Sequence, residues 1–545
     1  MFRTAELGRT IPKNEYHEKL PMLRAELLEI QQHLKSRKFP TIVVFSGVDA
    51  AGKSETINTL NEWMDPRWLI TRAYGPPSDE MAERPEYWRF WRDLPPKGRI
   101  GLFLSCWYSR PLLDRVHGRT SEAEFDEALD RVIAFENALA DDGALFVKVW
   151  LHLGKAAQKD RLRALEKDPL TRWRVSKTDW DHWHLYDRFV AAAERLITRT
   201  STGHAPWNIV EGVDKRYRSV TVGVTLRDAI LKHFHRRDVM RHAAAEYRAL
   251  THGATLTTPD RAAIDEEPTE GASTPAKLSA TVIHIPNISI LSRLDMDQKL
   301  AKNDYSKQLE ACQGTLNRRF RRAKELGVSA ILVFEGWDAA GKGGAIRRAT
   351  AALDARDYQV IPMAAPTDEE RAQHYLWRFW RHLAGAGRMT IFDRSWYGRV
   401  LVERVEGFAY EPEWRRAYAE INDFEDQLVR HGIVLCKFWL HITKDEQLAR
   451  FRAREQVEYK RWKLTEEDWR NRQKWDLYDA AVNDMVERTS TTLAPWTLVE
   501  ANEKRFARIK VLQTITDGLK AAIIRREGGE DAASPAPKAK LKRTG

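Results

Sequence analysis

The chain has 545 residues, 43% of them hydrophobic, and a formal net charge of +11 at pH 7. This length predicts two domains, each with its own core. Its three cysteines, Cys106, Cys312 and Cys436, are too few for a disulfide framework and favour a reducing, cytoplasmic compartment. Residues 1–20 contain no apolar core of signal-peptide length, and no stretch reaches the roughly 18 apolar residues of a membrane span. We expect a cytoplasmic protein without a membrane segment, and the basic balance favours polyanionic partners.

An internal repeat organises the chain. Gly47 matches Gly336 and Lys53 matches Lys342, each at a separation of 289 residues. The pentapeptide WRFWR occurs at Trp88–Arg92 and again at Trp377–Arg381, at the same separation. A constant offset over this length indicates a tandem duplication, which we describe as an N-terminal and a C-terminal copy. We expect the aromatic residues of WRFWR to pack in a core, with stacking on nucleic-acid bases as the alternative.

Short apolar segments alternate with helical periodicity along the N-terminal copy. A helix over Pro21–Arg37 leads into strand Thr41–Phe45, the glycine loop Gly47–Ser54 and a helix to about Met64. Further strands are predicted at Leu69–Tyr74, Arg99–Leu104, Leu145–Leu151 and Asn208–Glu211. Helices are predicted at Glu122–Ala140, Lys155–Lys167 and Lys177–Thr198. The C-terminal copy repeats this order, so the sequence predicts an α/β protein in which each copy is a parallel sheet flanked by helices.

Changes in composition set the predicted domain limits. Residues 1–235 form the N-terminal domain and residues 286–525 the C-terminal domain. Between them, HGATLTTPDRAAIDEEPTEGASTPAK is rich in Thr, Ala, Pro and acidic residues, so residues 236–285 are predicted to be a flexible linker. Residues 526–545 lack periodicity and are predicted to be a disordered basic tail.

Both copies contain a glycine loop between a strand and a helix, the context in which backbone N–H groups hold phosphate. The N-terminal loop Gly47–Ser54 matches the phosphate-loop (Walker A) pattern in full, whereas the C-terminal loop ends in Gly343 instead of Ser or Thr. For the C-terminal loop, the predicted phosphate-binding residues are Gly336, Ala339, Ala340, Gly341 and Gly343, with Lys342 as a catalytic cation.

A carboxylate distinguishes the two copies. The strand that begins at Met389 ends in Asp393, where phosphoryl-transfer enzymes place a magnesium ligand, and the N-terminal copy has Leu104 there. Asp338 in the C-terminal loop supplies a second carboxylate. Paired carboxylates suit Mg²⁺, with Mn²⁺ as an alternative, so Asp338 and Asp393 are the predicted metal ligands. We expect the C-terminal copy to be catalytic and the N-terminal copy to be catalytically degenerate.

These residues resemble motifs of the polyphosphate kinase 2 family. The family combines G-x-D-x-x-G-K-G-G with F-D-R-S-W-Y-x-R, matched by Gly336–Gly344 and Phe392–Arg399. The segment Thr489–Trp496 adds to the match, and the N-terminal copy departs from it at Leu104–Cys106. The resemblance implies a phosphate-loop kinase core with a mobile helical lid. Asp393–Phe408 and the tandem arrangement look like the class that moves the terminal phosphoryl group of inorganic polyphosphate to AMP, giving ADP, with Mg²⁺.

Basic residues complete the predicted site. Arg394 and Arg399 are placed to clamp nucleotide or transferring phosphate, because a guanidinium can bind phosphate through two N–H groups. With Asp338, Lys342 and Asp393 they form the predicted catalytic set. The predicted lid carries a basic row suited to a polyphosphate chain: Arg450, Arg454, Lys460, Arg461 and Lys463. The alternative is a solvated charged helix. A similar row in the N-terminal copy suggests a scaffold or a polyphosphate-docking surface.

Three other functions stay open. The first is phosphorylation of ADP or GDP to the triphosphate by polyphosphate, and the second is an ATP-dependent small-molecule kinase. The third is a polyphosphate- or nucleic-acid-binding protein without turnover, which would bind with a steep salt dependence. The expected partners are inorganic polyphosphate and adenine nucleotides, without specific nucleic acid or membrane, and a homo-oligomer is possible.

Overall fold

The computed structural model describes residues 1–252, 289–456 and 465–528. Each copy is built on a five-stranded parallel sheet, with strand orders β2-β3-β1-β4-β5 and β10-β9-β6-β8-β7. The N-terminal strands are β1 Thr41–Gly47, β2 Leu69–Ala73, β3 Ile100–Leu104, β4 Leu145–His152 and β5 Trp207–Glu211. The C-terminal strands are β6 Ala330–Gly336, β7 Tyr358–Pro362, β8 Met389–Asp393, β9 Val434–His441 and β10 Trp496–Glu500. The predicted fold class is confirmed.

Helices cover both faces of each sheet. In the N-terminal copy they are α1 Lys13–Leu34, α2 Lys53–Trp63, α3 Asp79–Ala82, α4 Trp88–Arg92, α5 Ser109–Val116, α6 Glu122–Asp141, α7 Lys155–Lys167, α8 Lys177–His184, α9 Tyr186–Thr200 and α10 Lys215–His252. In the C-terminal copy they are α11 Lys302–Glu325, α12 Lys342–Thr350, α13 Asp368–Arg371, α14 Trp377–Trp380, α15 Val402–Val405, α16 Glu411–Arg430, α17 Lys444–Glu455, α18 Glu466–Gln473, α19 Trp475–Thr489 and α20 Lys504–Glu527. Short 3₁₀ turns lie at Phe2–Ala5, Pro66–Trp68, Arg172–Arg174, Ile290–Arg293 and Trp396–Arg399.

The central strands β1 and β6 each contain an uninterrupted run of apolar residues. In β1 the residues from Thr41 to Phe45 are all buried, as expected for a strand covered on both faces. The strands predicted for the N-terminal copy are confirmed, and each end lies within two residues of the predicted one. The central strands β1 and β6 each pair on both sides. Ligands bind at the carboxyl ends of such sheets, and both glycine loops follow these ends.

Two predicted helices differ from the structure. The first begins at Lys13 rather than Pro21, and Pro21 lies inside it. Its buried face, spaced from Leu23 to Leu34, outweighs the one hydrogen bond that proline cannot make. The helix predicted over 177–198 is broken at Leu185 into α8 and α9. The break lets α9 bury its own apolar face while α8 lies over the glycine loop.

The predicted flexible linker is wrong over residues 236–252, which continue α10 to His252. Neither glycine nor proline occurs between Gly223 and Gly253, so no residue there favours an earlier helix end. Residues 253–285 lie outside the described part. The predicted disordered tail is likewise wrong at its start, because α20 continues to Glu527. Residues 529–545 lie outside the described part.

The two WRFWR segments meet at the interface between the copies. All six aromatic residues of the motifs are buried, which confirms the predicted core packing. Next to them, the backbone N–H of Lys97 donates to the carbonyl of Ala372 at 2.8 Å. Buried apolar residues of both copies belong to one continuous cluster. The duplication therefore produced two sheets that share a core.

Candidate active site

The C-terminal glycine loop is held open by its backbone. Gly336 has φ +147°, and a Cβ there would lie 2.5 Å from the carbonyl oxygen of Leu440, so only glycine fits. Gly341, with φ +110°, precedes the first turn of α12. A Cβ at Gly341 or Gly343 would meet no atom within 4 Å. A cavity therefore reaches the start of α12, where helix N–H groups can bind phosphate.

A cavity of about 730 Å³ lies above the C-terminal glycine loop. A second cavity, of about 970 Å³, lies beside the N-terminal loop. Lys342 lines the loop cavity and donates from Nζ to the carbonyls of Gly336 at 2.7 Å and Trp337 at 3.4 Å. An ammonium has three donors, so a third is left for an anion. Of the predicted phosphate-binding loop residues, Ala339, Ala340, Gly341 and Gly343 line this cavity and Gly336 does not.

Both predicted metal ligands line the same cavity. Parallel pairing sets Asp393 opposite Phe334, close to the point where β6 enters the loop that carries Asp338. Among the described residues, no group of three or more His, Cys, Asp or Glu side chains could hold a metal ion. Mg²⁺ commonly takes one or two carboxylates and completes its shell with water and substrate phosphates. Two carboxylates beside a phosphate loop therefore fit Mg²⁺.

The loop carboxylate Asp338 is oriented by two neighbours. Arg394 Nη2 donates to Oδ1 at 3.3 Å, and Asn471 Nδ2 donates to Oδ2 at 2.9 Å. Burial acts to lower the pKa of Arg394, but the negative charges of Asp338 and Glu335 outweigh it and raise that pKa. The backbone of Arg394 has φ +66°, a strained value for a residue with a Cβ. The equivalent residue of the N-terminal copy, Ser105, has φ +52°, so both copies keep this backbone conformation.

Sequence reasoning missed Glu335, the residue before Gly336. Its buried carboxylate accepts a hydrogen bond from Ser395 Oγ at 2.8 Å. Burial raises the pKa of Glu335, although Ser395 and the nearby Lys342 act to lower it. The N-terminal copy has Ser46 at this position, so a comparison of the two copies at the constant offset would have marked the difference.

Arg399 lies to one side and is not among the residues that line the loop cavity. Its Nη1 is 3.2 Å from Glu403 Oε2, and its guanidinium lies 4.6 Å from the ring centroid of Tyr375. Nε is buried and has no hydrogen-bond partner among the described residues. An arginine with an unused donor can still bind an anion, so its contact with nucleotide stays a prediction.

Arg450 has a role that the sequence did not predict. Its five N–H groups donate to Glu446, to the loop carbonyls of Ala339 and Ala340, and to the carbonyls of Ala501 and Asn502, at 2.6–3.0 Å. Only 6% of the residue is exposed. Arg450 therefore braces the loop while it also lines the cavity. All five of its N–H groups already have protein acceptors, so a direct contact with phosphate would have to replace one of these bonds and stays a prediction.

Other cations line the cavity beside Arg450. Arg454 of the predicted row does so, whereas Lys460, Arg461 and Lys463 lie outside the described residues. Four lining residues that sequence reasoning missed are Arg347, Arg348, Lys504 and Arg508. Burial lowers the pKa of Lys504, and the positive charges of Arg450 and Arg508 lower it further. A cluster of mutually repelling cations at a phosphate loop is arranged for a polyanion.

In the N-terminal copy, a carboxylate lies at the start of α2, the helix equivalent to α12. Glu55, in the first turn of α2, accepts from Arg218 Nη2 at 2.8 Å and from Arg161 Nη2 at 3.1 Å. The residue 289 positions later is Gly344. The guanidinium of Arg218 lies only 2.3 Å from where a Cβ at Gly52 would be, whereas the space at Gly341 is open. The N-terminal loop is therefore neutralised by its own side chain.

The N-terminal copy has also lost cavity cations. Asn58, Thr59, Leu165 and Ser219 stand where the C-terminal copy has Arg347, Arg348, Arg454 and Arg508. Together with Glu55, these replacements lower the positive charge beside the loop, where Lys53, Arg161 and Arg218 remain. In the predicted basic row of the N-terminal copy, Arg161 and Arg174 lie 3.1 and 3.6 Å from Glu55. A role of that row as a scaffold or a polyphosphate-docking surface stays a prediction.

The parallel sheet, the glycine loop with its lysine, the two carboxylates and the surrounding arginines together form a site suited to an enzyme of phosphoryl transfer. The polyphosphate kinase 2 (PPK2) family matches residues 10–238 and 299–527, one match in each copy. The chain belongs to this family.

The chain also resembles particular proteins over nearly its full length. It is 51% identical over 523 residues to a polyphosphate:AMP phosphotransferase of Pseudomonas aeruginosa, covering 96% of this chain and 99% of that one. A protein of the same name from Pseudomonas syringae pv. tomato is 48% identical over 527 residues, with coverages of 96% and 99%. A crystal structure from Pseudomonas aeruginosa PA01, described as a polyphosphate kinase 2, has a TM-score of 0.81 at 48% identity, covering 96% of this chain and 99% of that one.

The sequence also predicted that the chain has no membrane span and no disulfide framework. Across residues 1–252, 289–456 and 465–528, no helix is long and apolar enough to cross a membrane. Cys106, Cys312 and Cys436 all lie in these ranges and are free thiols. Burial raises the pKa of Cys106 and of Cys436 to about 12, so these two thiols are held in their unreactive protonated form.

Proposed function

We propose that the C-terminal copy transfers the terminal phosphoryl group of inorganic polyphosphate to AMP, giving ADP. The observation that carries the proposal is the open loop with Lys342, Asp338 and Asp393 in one cation-lined cavity. Three relatives that match nearly the full tandem length bear the name polyphosphate:AMP phosphotransferase, which favours AMP over ADP or GDP as acceptor.

In the proposed reaction, polyphosphate enters along the cations of the loop cavity. An oxygen of the AMP phosphate attacks the terminal phosphorus, and the bond from that phosphorus to the rest of the chain breaks. The products are ADP and a polyphosphate shorter by one unit. The AMP phosphate has a second pKa near 6 and is mostly dianionic at neutral pH, so no strong general base is needed. Because one phosphoanhydride replaces another, the reaction is reversible.

The chain's own residues supply positioning and charge. Lys342 and the loop N–H groups hold the donor phosphates, and Arg394 is placed to stabilise negative charge on the moving group. Asp338 and Asp393 would hold Mg²⁺, with Mn²⁺ as an alternative; when bound, the ion neutralises phosphate charge. A cytoplasmic location, a mobile lid and a homo-oligomer stay predictions.

The test is ADP formation from AMP and polyphosphate with Mg²⁺ and without ATP. We expect Asp393→Asn to lower kcat by roughly 10²–10³, as when one transition-state stabiliser is lost. Lys342→Ala should be similarly impaired, while the matched variant Lys53→Ala in the N-terminal copy should keep most of its turnover. Activity that requires ATP, or that is lost in Lys53→Ala but not in Lys342→Ala, would overturn the proposal.

A further inference from the structure

The N-terminal copy retains a cleft of about 970 Å³ beside its closed loop. Its walls come from the loop, from the segment after β2, from α5, and from the end of α16 in the other copy. Lining residues include Lys53, Tyr74, Arg89, Arg110 and Arg430. This volume lies within the range that binds nucleotide-sized ligands.

Arg89 is the most informative residue of this cleft. Only 8% of it is exposed, and its one hydrogen bond to the described residues runs from Nη1 to the carbonyl of Gly75 at 3.1 Å. Among the described residues, no carboxylate forms an ion pair with it within 4.0 Å, although Glu86 is near enough to act on its pKa, which burial lowers. A buried cation without a counter-ion is costly, and a bound anion would remove that cost.

The C-terminal copy shows what Arg89 lacks. Its equivalent, Arg378, lies 3.4 Å from the carboxylate of Glu370. At the position of Glu370 the N-terminal copy has Met81, which lines the cleft. The arginine was therefore kept in the buried position while its internal counter-ion was replaced by an apolar side chain.

The rest of the cleft narrows the class of ligand. Polyphosphate is disfavoured, because Glu55 already neutralises the loop from the other side. The cleft also has an apolar wall that includes Tyr74, Met81 and Leu113, which an inorganic anion would not use. An aromatic base can pack on such a wall while its phosphate meets arginine.

We propose that this cleft is a second binding site for a nucleoside monophosphate, which is held there without reaction. No phosphoryl transfer is expected, because Leu104 replaces the metal-binding aspartate and the loop is closed to a donor. Arg430 at the end of α16 also lines the cleft, so the site is completed by the catalytic copy. The proposal goes beyond the transfer reaction and does not depend on it.

The test is equilibrium dialysis of radiolabelled AMP against the full chain, without polyphosphate. Met81→Glu gives Arg89 the counter-ion that Arg378 has, and we expect it to lower the number of AMP molecules bound per chain by one. Met81→Leu, similar in size and uncharged, should bind as many as the wild type. Arg89→Met is a second variant expected to lose one AMP, in case the introduced carboxylate turns away.

An unchanged number of bound AMP molecules in both Met81→Glu and Arg89→Met would overturn the proposal, as would an equal loss in Met81→Leu. Because the readout is a difference in stoichiometry, it does not require turnover. A chain that binds this extra AMP but makes no ADP would contradict only the proposed reaction.

Discussion

Trp91 of the N-terminal copy and Trp380 of the C-terminal copy stack with their ring centroids 5.9 Å apart and their planes inclined by 14°. They are equivalent residues, each the fourth of a WRFWR segment. The two copies therefore contact each other through the same position of the repeat. Both rings are at least 97% buried, since their exposures are 3% and 1%. The copies consequently depend on each other for part of their cores.

The first prediction concerns this contact. Trp380→Ala should lower the free energy of unfolding by about 3–5 kcal/mol, the usual cost of truncating a buried aromatic side chain. Differential scanning calorimetry of both variants checks it, with Trp173→Ala as the control. Trp173 is 75% exposed, so its replacement should change stability by less than about 0.5 kcal/mol. Equal melting temperatures for the two variants would contradict a shared core.

The second prediction replaces one residue beside the C-terminal loop with its counterpart in the N-terminal copy. Gly344→Glu should place a carboxylate where the N-terminal copy has Glu55. A Cβ at Gly344 would lie 3.4 Å from Arg508 Nη2, so the new side chain starts beside a cavity cation. We expect the KM for polyphosphate to rise by about tenfold or more, equivalent to ~1.4 kcal/mol.

Gly344→Ala is the matched control for that exchange, because it adds the Cβ without the charge. Initial rates at varied polyphosphate and saturating AMP measure the effect. If the alanine variant is impaired as much as the glutamate variant, crowding rather than charge closes the site, and the explanation of the N-terminal loop by Glu55 fails.

The third prediction tests Arg450 as a support of the loop. Arg450→Met removes the donors to the carbonyls of Ala339 and Ala340. Each carbonyl that is then left without a partner, and that water cannot reach, should lower the free energy of unfolding by about 1–3 kcal/mol. We expect a lower melting temperature and weaker polyphosphate binding, with the KM for AMP less affected. The equivalent Arg161→Met should be milder, since the Arg161 side chain is 37% exposed. Normal stability with impaired binding would instead indicate direct contact with phosphate.

The fourth prediction concerns pH. His182 Nδ1 lies 2.7 Å from Asp49 Oδ2, and this hydrogen bond raises the pKa of His182 above its ordinary value of about 6.5. The stabilisation is complete below pH ~6.5 and is lost as the pH rises through the folded-state pKa. The wild type should therefore lose stability relative to His182→Asn as the pH rises above about 6.5. The C-terminal copy has Asn471 at the position of His182.

Urea unfolding at a series of pH values measures this difference. Wild type and His182→Asn should converge at the alkaline end of the range. Parallel stability curves across it would show that the His182–Asp49 pair does not titrate there.

Local sequence patterns predicted most of the strands and helices of the N-terminal copy. An uninterrupted apolar run marked the central strand β1, because a strand covered on both faces is mostly apolar, and shorter apolar-rich segments marked its neighbours. They were insufficient at Pro21 and at residues 236–252, where helix continued past the predicted limit. Propensity sets only a weak preference there, and burial of one helix face decides the boundary.

The sequence by itself determined the duplication, the α/β class, the two glycine loops and the contrast between Asp393 and Leu104. Spacing and residue type carry that information. Only the tertiary structure decided that Arg450 braces the loop and that Glu55 neutralises the other one. Arg450 reaches Ala339 across 111 residues and Arg218 reaches Glu55 across 163. The partner of a charged side chain depends on how the helices pack on the sheet. A local sequence pattern cannot predict a partner that lies more than a hundred residues away.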